Sequence, residues 1–221
     1  MADLSADLPV EEPSQSAERW TVKSTKTLQN CRIFTVDQIS CVRSPSPSAD
    51  TTEAAAAAAA VDAGGASRTQ DDSEHDFFVL NAPDFTNIVA LTTDGDCVLV
   101  EQWRHGSQTL TLEVPGGLVD AGETAEVAAR RELREETGFE AEQWIEIGVC
   151  RPNPAYQTNY CTTFLALGAR RVSEPAFDDH EHCVVHKLPW PTVVDMVRDG
   201  RIDHAIVVAA VMYARLHLAA T

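Results

Sequence analysis

The chain has 221 residues, enough for one well-filled domain and too few for two comfortable ones, and its 44% hydrophobic and 23% charged content excludes wholesale disorder and fibrous repeats. With 17 Lys+Arg against 34 Asp+Glu the formal charge is −17, which argues against bulk attraction to nucleic acid or to an anionic membrane surface. Any phosphate-bearing ligand must then be met by local cations.

The acidic start MADLSADLPVEEPSQ has neither a basic n-region nor an apolar h-region, and the longest apolar run, around 205–212, is too short to span a bilayer. A soluble, cytoplasmic protein is the expectation. Cys31, Cys41, Cys97, Cys150, Cys161 and Cys183 show no CxxC or zinc-like spacing and are expected as reduced thiols, several of them in the core.

In chain order, residues 1–15 are expected to be disordered, and 16–221 to form one domain interrupted by an insert at 44–76. WTVKSTKTLQN and CRIFTVDQISCV alternate polar and apolar residues like an antiparallel ribbon. The insert has a seven-alanine run and hardly a large apolar residue, so it cannot build a core; it reads as a solvated insertion between strands or a docking loop. Eleven acids and one base fall in 1–15 and 44–76, which leaves the rest only mildly acidic, at about −7. FFVL, NIVALTT and CVLVEQW read as strands, with a tight turn at Asp94-Gly95. TLTLEV is another, followed by a glycine loop at 114–124 and a helix from about Ala125 to Thr137 that Gly138 closes. IEIGVC, YCTTFLAL and CVVHKL supply further strands, TVVDMVRDG a short helix and HAIVVAAVMYARLHLAA a strongly apolar one. This order predicts an α+β or layered α/β/α domain on a mixed sheet.

The segment GLVDAGETAEVAARRELREETGF, 117–139, carries the chemistry. On a helical wheel of ~100 degrees per residue Glu132, Glu135 and Glu136 share one face, and like charges at i,i+3 and i,i+4 each work against the helix by some tenths of a kcal/mol. Two counter-charges can answer them. Arg131 can pair with Glu135 or with Glu123, and a hard divalent cation, Mg²⁺ or Mn²⁺, suits an oxygen-only cluster. The preceding loop, with Gly116, Gly117 and Gly122, lets backbone approach a ligand closely. An exposed, charge-laced helix would be the ordinary reading of such a composition.

The spacing decides against it. Gly117, Glu123, Arg131, Glu132, Leu133, Glu135, Glu136, Gly138 and Phe139 match, position for position, the Nudix box G-x5-E-x7-R-E-U-x-E-E-x-G-U, with U apolar. Such a match arises by accident in roughly one in 10⁹ placements at ordinary residue frequencies. The chain thus resembles Nudix hydrolases, which cleave a nucleoside diphosphate linked to another moiety by attack of a metal-activated water on phosphorus. The resemblance implies an α/β/α sandwich around a mixed sheet. It makes Glu132, Glu135 and Glu136 metal ligands, with Glu132 and Glu135 catalytic, and Gly117, Glu123, Arg131 and Gly138 structural. The cations would neutralise the diphosphate and lower the pKa of bound water.

Outside the box the chain, over about 77–219, resembles the ADP-ribose pyrophosphatase branch. EQWRHG makes Arg104 a candidate phosphate-binding cation. TLEVPGG places Glu113 in the site and makes the carbonyl of Gly116 a metal ligand, although this branch usually has Ala there. Pro154 falls about where the branch carries a substrate-loop proline, and Glu181 where a loop carboxylate acts as general base or last ligand. Tyr156 and Tyr160 read as core residues or base-stacking rings. His105, His180, His182 and His186 read as solvated or packed rather than as a metal set. The implied function is divalent-metal-dependent hydrolysis of ADP-ribose to AMP and ribose 5-phosphate. Hydrolysis of another NDP-sugar or a dinucleotide, or nucleotide sensing without turnover, are the alternatives. A small-molecule substrate, no nucleic acid, no membrane, and a homodimer formed through the N-terminal strands complete the expectation.

Overall fold

Strand residues 88–91 read Ile-Val-Ala-Leu without a polar break, and the reason is visible in the computed structural model, which describes residues 19–44, 73–177 and 182–220. Successive side chains of a strand point to opposite faces, so an unbroken apolar run needs cover on both. Val89 and Leu91 pack with Leu99, Leu165, Val207 and Val211 on one side of the sheet, while Ile88 and Ala90 pack with Val98, Leu133 and Phe164 on the other.

The chain divides into two compact units, Met1–Asn30 with Val36–Val79, and Cys31–Thr35 with Leu80–Thr221. The first is built on a three-stranded sheet in the order β1 (Arg19–Asn30), β2 (Thr35–Ser44), β3 (His75–Asn81). Trp20 packs edge-on against His75 at 5.3 Å and Phe77 at 5.2 Å, and Arg43 lies over its ring at 5.5 Å. The expected acidic N-terminus and most of the 44–76 insert lie outside the described residues.

The second unit holds β4 (Phe85–Thr92), β5 (Asp96–Arg104), β6 (Thr109–Glu113), α1 (Ala125–Thr137), β7 (Phe139–Glu140), β8 (Gln143–Cys150), β9 (Cys161–Arg171), β10 (Cys183–Pro189), α2 (Trp190–Arg198) and α3 (Ala205–Ala220). Its seven strands form a sheet with the path β10-β5-β4-β9-β7, with β6 on β5 and β8 on β9. β4 runs parallel to β9, and the other pairs are antiparallel, so the sheet is mixed as expected. α1 covers one face through Ala129 and Leu133, and α2 and α3 cover the other through Val193, Val207 and Val211. The layered α/β/α arrangement read from the element order is therefore the one present.

Two details differ from the sequence reading. β7, two residues long, follows α1 directly, because Gly138 at φ 74 reverses the chain and lets Phe139 pair with Arg171. Tyr156 and Tyr160 are not core residues but 45% and 38% exposed, and Arg151 lies over the Tyr160 ring at 4.7 Å while donating to its hydroxyl at 2.6 Å. None of the six cysteines is in a disulfide; Cys41, Cys97 and Cys161 are buried. Among the described residues no helix is long and apolar enough to cross a membrane.

Candidate active site

Helix α1 starts where Thr124 takes the N-cap position and its hydroxyl accepts from the Val127 N–H at 3.3 Å. It ends where the Gly138 N–H donates to Arg134 O at 2.8 Å in the left-handed conformation. Between these caps Ala128, Ala129 and Leu133 bury the apolar stripe, which turns Glu132 and Glu136 toward the sheet edge, each only 9% exposed. Sequence spacing alone thus decides which carboxylates enter the protein.

The glycine turn after β6 meets them. Gly116 N–H donates to Glu136 Oε2 at 2.9 Å, and the place a Cβ would take on Gly117 is filled by the Glu132 carboxylate, whose nearest oxygen is 2.3 Å away. The same test at Gly116 finds the Thr86 carbonyl oxygen at 2.1 Å. An alanine, the branch's usual residue there, would therefore strike backbone in this chain. The turn is tied to β4 by Thr86 N–H to Gly117 O and Ile88 N–H to Pro115 O, both at 2.9 Å.

Arg131 binds the loop to the helix. Its Nε and Nη2 fork onto Glu123 at 3.1 and 2.9 Å, Nη2 also reaches Leu118 O at 3.0 Å, and Nη1 bridges Glu132 Oε1 at 2.7 Å and Glu135 Oε2 at 3.2 Å. The expected choice between Glu135 and Glu123 is resolved as both. The bonds to Glu123, with those to Glu132 and Glu135 behind them, drive the guanidinium pKa above the usual arginine range, and Arg131 in turn draws Glu123 below the usual carboxylate range. Because Arg131 stands between Glu132 and Glu135 and Glu136 turns to Gly116, no three His, Cys, Asp or Glu side chains among the described residues converge closely enough to grip an ion as they stand.

Arg104 and Glu113, the two candidates on β5 and β6, hold one another. In the β5–β6 pair Arg104 faces Thr109 and Val100 faces Glu113, so the two stand four positions apart along the ladder and the long arginine side chain spans the gap. Arg104 Nε and Nη2 each reach a Glu113 oxygen at 2.7 Å, a bidentate fork on a carboxylate only 3% exposed in its side chain. Thr111 Oγ1 donates to Glu113 Oε1 at 2.6 Å, and His204 Nδ1 lies 3.0 Å from Oε2, inside ion-pair range but outside hydrogen-bond geometry. Burial alone would raise the Glu113 pKa; the contacts from Arg104, His204 and Thr111 outweigh it and bring it down to about 2.

Thr111 and His204 escaped the sequence reading. Thr111 stands two residues before Glu113 on the same strand face, a signal that was available; His204 precedes α3 with no motif around it. The remaining candidates scatter. Pro154 sits exposed in the 151–160 loop, which docks on Leu80 through Leu80 N–H to Tyr156 O at 2.7 Å. Glu181 and His180 lie outside the described residues. His186 pairs with Glu101 at 3.0 Å, and His182 stacks edge-on with Phe177 at 6.1 Å, so these histidines gather no metal set.

A cleft of about 770 Å³ runs along the outer side of α1 past Glu135. Arg130, Arg131 and Arg134 line it together with Glu135, Glu140 and Glu174, so its charges cancel and it makes no special claim on a polyphosphate.

The profile of the NUDIX domain family matches residues 83–211. A methanol dehydrogenase activator from Bacillus methanolicus is 28% identical over 139 residues, 62% of this chain and 75% of that protein. An ADP-ribose pyrophosphatase from Mycobacterium tuberculosis (strain ATCC 25618 / H37Rv) is 32% identical over 129 residues, 57% of this chain and 61% of that protein. The crystal structure of an ADP compounds hydrolase superposes with a TM-score of 0.71 at 20% identity, covering 91% of this chain and 95% of that one, which bears on the fold alone.

Proposed function

The chain belongs to the NUDIX-domain family, and we propose that this pyrophosphohydrolase cleaves the diphosphate bond of a nucleoside diphosphate derivative, ADP-ribose first among candidates, giving AMP and ribose 5-phosphate. The observation that carries the reading is the meeting of Glu132 and Glu136 with the Gly116–Gly117 turn, next to the turn's own strand, on which Glu113 clamps Arg104. Similarity to a protein named ADP-ribose pyrophosphatase supports the choice of substrate.

A divalent cation fits the donors in kind. Every candidate ligand is an oxygen, two of the carboxylates are nearly buried, and the glycine turn leaves Glu132 the room where a Cβ of Gly117 would stand. Glu132, Glu135, Glu136 and the carbonyl of Gly116 would hold Mg²⁺ or Mn²⁺, which when bound neutralises the diphosphate and makes its water acidic enough to attack. Arg131 keeps the acids together as counter-charge and ties the loop to the helix. Arg104, its planar fork fixed by Glu113, brings positive charge to a phosphate oxygen in a chain otherwise short of it. Water adds to phosphorus, its proton leaves to a base, and the oxygen bridging the two phosphorus atoms departs with the other product; Glu181 is our candidate for that base. Pro154 is assigned to the substrate loop, and a homodimer to the first unit, whose Trp20, Val22, Phe77 and Phe78 are exposed.

The test is a panel of ADP-ribose, other NDP-sugars and dinucleotides, each with Mg²⁺ or Mn²⁺, with products identified by mass. AMP and ribose 5-phosphate formed fastest from ADP-ribose support the reading. Faster turnover of another NDP-sugar or a dinucleotide transfers it to that substrate, and tight binding without products would favour a sensing domain instead.

A further inference from the structure

A carboxylate offers about four acceptor positions, two on each oxygen. On Glu113 the Arg104 fork takes one on each, Thr111 takes the second on Oε1, and the fourth, on Oε2, faces Nδ1 of His204 at 3.0 Å. That Nδ1 is itself buried and in hydrogen-bond geometry with nothing, so a small turn of the ring would satisfy both groups at once. The ring also sits on a tethered support. His204 O accepts from Val207 and Val208 N–H at 2.9 Å each as α3 begins, and Asn87 Nδ2 donates to Ile206 O at 3.1 Å. Asn87 Oδ1 in turn lies 3.0 Å from where a Cβ of Gly116 would stand, so the helix start that carries His204 is bound to the same strand residue that abuts the glycine turn.

From this we propose that His204 is a positioning residue: its Nδ1–H completes the set of donors on Glu113 and thereby holds the Arg104 guanidinium where a diphosphate is bound. The role rests on the reading of Arg104 as a phosphate-binding cation. Without that donor, Oε2 of a buried carboxylate is short of one partner, and the carboxylate can rotate toward water or another N–H, taking the Arg104 fork with it. Loss of His204 then weakens ligand binding while leaving the acids of α1 untouched.

Two substitutions separate the donor from its bulk. His204→Phe keeps a ring and removes the N–H, whereas His204→Asn places an amide N–H close to where Nδ1 was. For ADP-ribose hydrolysis by the full-length protein, His204→Phe is expected to raise KM about tenfold with kcat within about twofold, and His204→Asn to restore most of it. Calorimetric titration with ADP in the absence of metal should give the same order of affinities. An unchanged KM and ADP affinity in His204→Phe would overturn the role, as would an Asn variant as weak as the Phe variant. If the wild type hydrolyses no ADP-ribose, the substrate reading fails by itself and the ADP affinities still decide the role of His204. A wild type that neither hydrolyses ADP-ribose nor binds ADP overturns both.

Discussion

Gly117 and Glu132 compete for one volume: the Glu132 carboxylate stands where a side chain on Gly117 would begin, with an oxygen 2.3 Å and the carboxyl carbon 2.4 Å from the ideal Cβ position. The obstructing group is the far end of a flexible side chain, so a methyl there displaces the carboxylate and not the fold. Gly117→Ala is therefore expected to lower kcat by at least about a hundredfold, in the range of removing a transition-state contact, while the melting temperature stays within a few degrees. Steady-state kinetics beside a thermal melt checks the split.

Its neighbour answers differently. A methyl on Gly116 would meet the Thr86 carbonyl oxygen at 2.1 Å, and main chain in the middle of a sheet cannot turn aside. Gly116→Ala is expected to destabilise by about 1–3 kcal/mol, as overpacking does, which at this chain length lowers the melting temperature by roughly 2–12 °C. Equal melting temperatures for the Gly116 and Gly117 variants would contradict both arguments.

Arg131 works through five bonds to Glu123, Glu132, Glu135 and Leu118, and a lysine cannot reproduce the fork. Arg131→Lys should cost about 2 kcal/mol of unfolding free energy and most of the activity, because the loop and the acids lose their common tie. Chemical denaturation of the two proteins under one buffer measures the first, and turnover the second.

Acid should reveal Glu113. Its pKa is about 2 in the folded protein against an ordinary 4.5, so its contribution to stability is complete above the ordinary value and is lost as pH falls from 4.5 through about 2. The wild-type melting temperature is expected to fall across that window more steeply than that of Glu113→Gln, which has no proton to take up. Parallel curves would show that the carboxylate is not held as the Arg104 fork implies.

Much of this is legible in the sequence, and the reason is local. The box helix and its Gly138 stop depend on residues within a few turns of one another, and β4 stands out as a strand from its own apolar run. The missing parts were tertiary. Nothing near His204 says that α3 begins beside Glu113, about ninety positions earlier, and nothing near Tyr160 says that Arg151 will take its ring at the surface. The attachment of Arg131 lay between: Glu123 and Glu135 were nameable from spacing, but the bonds to Glu132 and to the Leu118 carbonyl, and the geometry that places one guanidinium between Glu132 and Glu135, were not.

Uptake of Mn²⁺, followed by electron paramagnetic resonance in the wild type and in a Glu132→Gln, Glu136→Gln double variant, goes straight to the claim that these acids and the glycine turn form an ion site. The wild type should bind Mn²⁺ stoichiometrically and the double variant should lose that binding while melting at the same temperature or higher, since two like charges have been removed from a nearly buried helix face. Undiminished Mn²⁺ binding by the double variant, or none by the wild type, would contradict the account.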